Sequence, residues 1–240
     1  MHSFFKNNVF SISFGTSLSK LAGCIRQIFI AAAFGVGVTY DAFNYAYIIP
    51  GFLLIIIGGI NGPLHNGVVA VLTPLNNKIG GIVLTQVSIK LSLLLFGLAI
   101  LIYFNSSLLI ECLAPNLSYE AKSIASFQLR ILTPCIPLSG FIGLSFGALN
   151  SRRKFFLSSI SPAITSLTTI LFILFSWILN KSNTSSNFLT YSGLLAFSTL
   201  IGTFIQFVVQ IWEINKIGLL RLESTFKFFK NEERRIFKLI

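Results

Sequence analysis

The sequence has 240 residues, 54% of them hydrophobic and 10% charged, with a mean hydropathy of +0.81. Soluble domains carry about 25% charged residues, so a water-facing globule is excluded and the bilayer is the solvent that suits this chain. Eighteen Lys and Arg against seven Asp and Glu give a net charge of +11, but in a membrane protein the placement of basic residues matters more than their sum. Asp41 is the sole aspartate, and the histidines are His2 and His65. A Ser-His-Asp triad, a paired-carboxylate site or a histidine metal cluster cannot be assembled from that stock, so no enzyme, metal or cofactor is expected. Cys24, Cys112 and Cys135 have no CxxC or metal-type spacing and read as small buried apolar residues.

A helix needs roughly 20 apolar residues to cross the hydrocarbon core. Six such stretches follow in chain order: 9–34, 41–72, 82–104, 124–149, 155–179 and 188–212. Polar or turn-rich joints separate them, including Gly35-Val36-Gly37, Asn76-Asn77-Lys78, Asn105-Ser106-Ser107 and Arg152-Arg153-Lys154. The second stretch, at 1.5 Å per residue, would reach roughly 48 Å against a core of about 30 Å. It contains Pro50-Gly51, Gly58-Gly59 and Gly62-Pro63, which predict a kinked or broken helix of the kind that lines transporter cavities. Lys6, Lys78, the Arg152–Lys154 run and seven basic residues after Trp212 fall on one side, against Lys122 and Lys181 on the other. The positive-inside rule then places both termini in the cytoplasm. In the tail, Phe226, Phe229, Ile236, Phe237 and Ile240 share a helical face from which Lys227, Lys230, Arg234 and Lys238 are turned away. That is the pattern of an amphipathic helix on an anionic leaflet. The predicted fold is therefore an all-α polytopic membrane protein: a six-helix lobe over residues 1–216 and a basic amphipathic segment over 217–240.

Basic residues inside a span cost about 2.5–3.5 kcal/mol at the bilayer centre and need a reason. Four occur: Lys20, Arg26, Lys90 and Arg130. On the first helix, Ser13, Thr16, Ser19, Lys20, Gly23, Arg26 and Gln27 fall within an arc of roughly 140°. Phe14, Leu18, Leu21, Ile25, Ile28 and Phe29 occupy the other side. A polar, cationic arc at membrane depth predicts a wet cavity, and an anionic group to fill it, because Asp41 can compensate only one of the two cations. Arg26, Lys20, Asp41, Ser19 and Gly23 are the first candidates for that cavity. Arg130, Lys90, His65 and Asn61 form a second rank, for which snorkelling or ordinary helix hydrogen bonding is the competing reading. Arginine suits phosphate because its planar fork stays charged when poorly hydrated.

These residues also carry a resemblance. The run Ser19-Lys20-Leu21-Ala22-Gly23-Cys24-Ile25-Arg26-Gln27, then Ala33-Phe34-Gly35, Asp41-Ala42-Phe43 and Pro50, is similar to the opening of the MurJ/MviN lipid II flippases. Leu129-Arg130-Ile131 with Pro134, Gly147-Ala148-Leu149-Asn150, Pro162, and Gln210 with Lys216-Ile217-Gly218 extend the match over most of the chain. The resemblance implies one six-helix lobe of the multidrug/oligosaccharidyl-lipid/polysaccharide exporter fold in the bacterial inner membrane. Its partners would be membrane lipids, the undecaprenyl-linked peptidoglycan precursor and a second, C-terminal lobe, on the same polypeptide or a separate one; no nucleic acid is involved. It implies transfer of that precursor between leaflets by alternating access, with Arg26 as a cavity arginine, Lys20 as its companion and Asp41 opening the second helix. This sequence departs from the pattern at Leu54, where the family has a second-helix arginine, at Gln27, and at Gly59-Ile60-Asn61. Export of another polyprenyl-linked oligosaccharide or amphipathic solute, and a non-transporting membrane scaffold, are the alternatives.

Overall fold

A computed structural model describes residues 2–35, 37–59, 62–180, 188–220 and 235–236. The predicted tail helix, apart from residues 217–220 and 235–236, and Asn61 lie outside the described residues. Ten helices and no strand occur among those described. They are α1 (His2–Phe34), α2 (Val38–Ile56), α3 (Pro63–Leu72), α4 (Asn77–Phe104), α5 (Ser106–Leu113), α6 (Tyr119–Leu132), α7 (Cys135–Ser151), α8 (Phe155–Ile160), α9 (Pro162–Asn180) and α10 (Phe188–Lys216).

Four helices are long and apolar enough to cross a membrane: 10–34, 77–104, 155–178 (α8 and α9 together) and 193–216. The pair α6 and α7, bent by 44° where Thr133 and Pro134 interrupt the helix, makes a fifth. The second apolar stretch is divided between α2 and α3. Pro50 and Gly51 do not make the break: both lie inside α2, buried, with the Tyr47 ring packed where a Gly51 side chain would project. One proline removes a single backbone bond, and the packing around Ala46 and Pro50 holds the helix through it. The chain leaves α2 only at Ile57. Gly58 and Gly59 follow, and Gly62 and Pro63 open α3, with proline in the first helical turn where its missing N–H costs nothing. Asn105-Ser106-Ser107, read as a joint, instead leads directly into the short α5.

Local chemistry sets the other boundaries. The Asn76 side chain accepts from the Ile79 N–H at 2.9 Å and starts α4, and Ser118 does the same for α6 through Ala121. Gly218, with φ +75°, closes α10 as a Schellman motif: its N–H reaches the Asn215 carbonyl while Leu219 N–H reaches Ile214. The same motif ends α7, but there Arg153 occupies the left-handed position at φ 62°. Its neighbour Arg152 donates to the Leu72 and Leu75 carbonyls at 3.2 and 2.8 Å, satisfying the C-terminal end of α3. Burial pushes the Arg152 guanidinium below the usual arginine range.

α7 is the centre of the bundle and packs against α2, α3, α4 and α10. Glycines let backbones approach closely there, as small residues do between membrane helices. A Cβ at Gly143 would overlap the Ile57 carbonyl oxygen, and one at Gly147 would sit 2.6 Å from the Val68 Cβ. α1 lies at the edge against α8 and α9, leaving Phe10, Phe14, Leu18, Leu21, Ile25 and Ile28 exposed. In a bilayer that face meets lipid. Among the cysteines only Cys135 is buried; Cys24 and Cys112, expected to be buried, are exposed on α1 and α5.

Candidate functional site: a cationic cavity between α1, α2, α7, α9 and α10

The inward side of α1 borders a cavity of about 400 Å³. α1 contributes Ser19, Lys20 and Arg26. α2 and the break after it contribute Tyr47, Leu54, Ile55, Gly58 and Gly59; α7 contributes Ile142 and Phe146. The far wall is Pro162, Thr165 and Ser166 of α9 with Gln206 of α10. Three residues of the polar arc of α1 thus face a chamber, while Phe14, Leu21 and Ile28 on its apolar side are exposed. Gly23, predicted on the same arc, is not among the residues that line the cavity, and a Cβ there would meet nothing within 4 Å.

Arg26 is half-buried, and its Nε is enclosed without a hydrogen-bond partner. A buried donor left unmade costs about 1–3 kcal/mol, more when charged. Neither Arg26 nor Lys20 has a carboxylate within ion-pair distance among the described residues. Asp41 opens the second helix, as the resemblance implied, but as a cavity candidate it lies apart: it is exposed in the first turn of α2, where a carboxylate is favoured by the helix N-terminus, and does not line the cavity. Gln27 points away too, donating to the Tyr40 hydroxyl.

The second-rank candidates take structural places. Arg130, exposed in the last turn of α6, donates from Nε to Ser106 Oγ at 2.7 Å and from Nη2 to Ser107 Oγ at 3.3 Å, tying α5 to α6. Lys90 is exposed on α4, outside the cavity lining. His65 is buried. Its Nδ1 pairs with Asn66 Oδ1 at 3.0 Å and its Nε2 with the Asn150 amide at 2.7 Å, and Asn150 Oδ1 accepts from Ser158 Oγ at 2.6 Å. This network fastens α3, α7 and α8 together. Leu54, at the position of the missing second arginine, lines the chamber with methyl groups.

The far wall escaped the sequence reading. Gln206 is 4% exposed, and its Oε1 accepts from Thr165 Oγ1 at 3.1 Å. The signal was available, since an amide inside an apolar span needs a partner. Hydroxyls in such helices usually bond their own backbone, as Thr168, Thr169, Thr199 and Thr203 do here, and that masks the few that do not.

Comparison with known proteins identifies the family. The family model described as lipid II flippase MurJ matches residues 30–240. The chain belongs to the MurJ family. A probable lipid II flippase MurJ from Synechocystis sp. is 39% identical over 219 residues, covering 90% of this chain and 41% of the relative. The lipid II flippase MurJ of Thermosipho africanus is 29% identical over 196 residues, covering 82% and 40%. A solved structure of lipid II flippase MurJ in an inward closed conformation superposes with a TM-score of 0.73 at 27% identity, over 95% of this chain and 46% of that one. The chain therefore spans less than half the length of the MurJ relatives it matches.

Proposed function

We propose that this chain forms the N-terminal lobe of a lipid II flippase in the bacterial inner membrane, crossing six times with both termini cytoplasmic, the basic 217–240 segment lying on that face. The broken α2–α3 pair counts as one crossing and the bent α6–α7 pair as another. A facing lobe, supplied by further chain or by a second polypeptide, completes the chamber. The observation that carries the reading is Arg26: a guanidinium at membrane depth, its Nε enclosed without a partner, beside Lys20 and an open chamber. A pyrophosphate supplies what is missing. It offers acceptors to the guanidinium fork and charge to both cations, while its polyprenyl tail stays in the lipid. Alternating access then needs the two lobes to expose the loaded chamber to one leaflet at a time, with α1 carrying the charge contact through both states. The neutral side chain of Leu54 leaves Arg26 as the principal anchor.

The test is complementation of cells depleted of their own flippase by this chain together with the rest of a MurJ relative. Arg26→Ala is expected to abolish growth, and Arg26→Lys to restore it only in part, because an ammonium keeps the charge and loses the fork. Full growth of the alanine variant would remove Arg26 from the mechanism.

A further inference from the structure

The two walls of the chamber differ in kind. The α1 wall carries both cations, Lys20 and Arg26, whereas the α9–α10 wall opposite is uncharged and hydrogen-bonding, with Thr165, Ser166 and Gln206. The Gln206 amide is held in one orientation. Its Oε1 is occupied by the Thr165 hydroxyl, and its NH2 group has no hydrogen bond among the described residues, although the residue is buried and borders the cavity. The orientation depends on how closely α9 and α10 approach. One turn before Gln206, Gly202 lies so near Thr165 that a Cβ there would come within 2.8 Å of the Thr165 Cα.

From this division we infer that Gln206, positioned by Thr165, is the contact that recognises the sugar following the pyrophosphate. The inference rests on reading the chamber as a site for a lipid-linked headgroup. A pyrophosphate drawn to Lys20 and Arg26 leaves the next group of the headgroup against the far wall. There an oriented, neutral NH2 donor beside a serine hydroxyl suits hydroxyl and acetamido oxygens, which carry no charge and offer directional lone pairs. A phosphate would gain little from that wall, because charge-assisted bonds to α1 outweigh neutral ones. An NH2 donor that opens on the chamber and meets a sugar oxygen discriminates against a ligand lacking that oxygen.

The experiment measures binding to this chain completed by the remaining part of a MurJ relative, in lipid nanodiscs, with two probes: lipid II and bare undecaprenyl pyrophosphate. Gln206→Met, a size-matched change, is expected to weaken lipid II about tenfold and bare pyrophosphate by less than about twofold, the loss of one well-placed neutral hydrogen bond. Thr165→Val is expected to give a smaller loss of the same selectivity, about threefold, and Thr165→Ser to restore it by keeping the hydroxyl. The threonine series reads the same contact should Gln206→Met fold poorly. Equal weakening of both probes by Gln206→Met would assign the amide to phosphate, and no change in either would remove it from the site; each result overturns the inference. Arg26→Ala serves as the separate arm. It should weaken both probes, and binding of both at full strength would overturn the headgroup reading itself.

Discussion

Replacing Gly202 by alanine puts the packing of α9 on α10 to a quantitative test. The new Cβ would stand 2.8 Å from Thr165 Cα and 3.2 Å from both Thr165 Cγ2 and the Thr165 carbonyl oxygen. Carbon atoms rest at about 3.5–4.0 Å, so α10 must retreat by about 0.7 Å at this point. The Thr165–Gln206 hydrogen bond, 3.1 Å in the native packing, then stretches towards about 3.8 Å and is lost. Overpacking of this kind costs about 1–3 kcal/mol, and the buried hydrogen bond adds about 1 kcal/mol. Alanine returns about 1 kcal/mol through its better helix propensity. The net destabilisation is about 1–3 kcal/mol, read as a fall of several degrees in the thermal unfolding midpoint in detergent. The decisive measurement is the double variant. Because Gly202→Ala has already broken the Thr165 contact, adding Gln206→Met should cost about 1 kcal/mol less than it does alone. Strict additivity, or a Gly202→Ala protein as stable as the parent, would refute the close approach and with it the fixed orientation of the amide.

Three further outcomes follow from the loop between α7 and α8. Arg152→Ala removes two charge-assisted hydrogen bonds from the end of α3 and should cost about 2–3 kcal/mol of thermal stability, with Arg152→Lys recovering less than half because an ammonium cannot reach both carbonyls along the same fork. Arg153→Gly should raise stability by about 1 kcal/mol, since the left-handed backbone at φ 62° favours glycine; a lowered melting midpoint would show that the side chain outweighs the backbone. Lys154→Ala should change stability by less than about 0.5 kcal/mol, and the change should vanish in high salt, because the Lys154–Glu213 pair is 3.7 Å apart and the lysine is 54% exposed.

What the sequence determined by itself is what depends on neighbours along the chain. Hydropathy over windows of about twenty residues settles which solvent the helices need. The glycine and proline content of 41–72 requires a break, because those residues leave backbone groups that a straight helix cannot satisfy. The 3.6-residue period of α1 places Ser19, Lys20 and Arg26 on one side whatever surrounds them. The same reasoning located the break only loosely. Pro50 and Gly51 are as strong a local signal as Gly58 and Gly59, and it is the packing of Ala46, Tyr47 and Pro50 that carries the helix through the first pair.

Only the tertiary structure decided which polar residues share the chamber. Asp41, Lys90, Arg130 and His65 were candidates alongside Arg26, yet serine hydroxyls take up Arg130, an asparagine network takes up His65, and Asp41 and Lys90 stand exposed outside the chamber. Thr165 and Gln206 meet across 41 positions of sequence through the absent side chain of Gly202. A hydrogen bond has a reach of about 3 Å, so whether two distant residues form a site depends on helix separations of less than an ångström, which close packing fixes and periodicity does not.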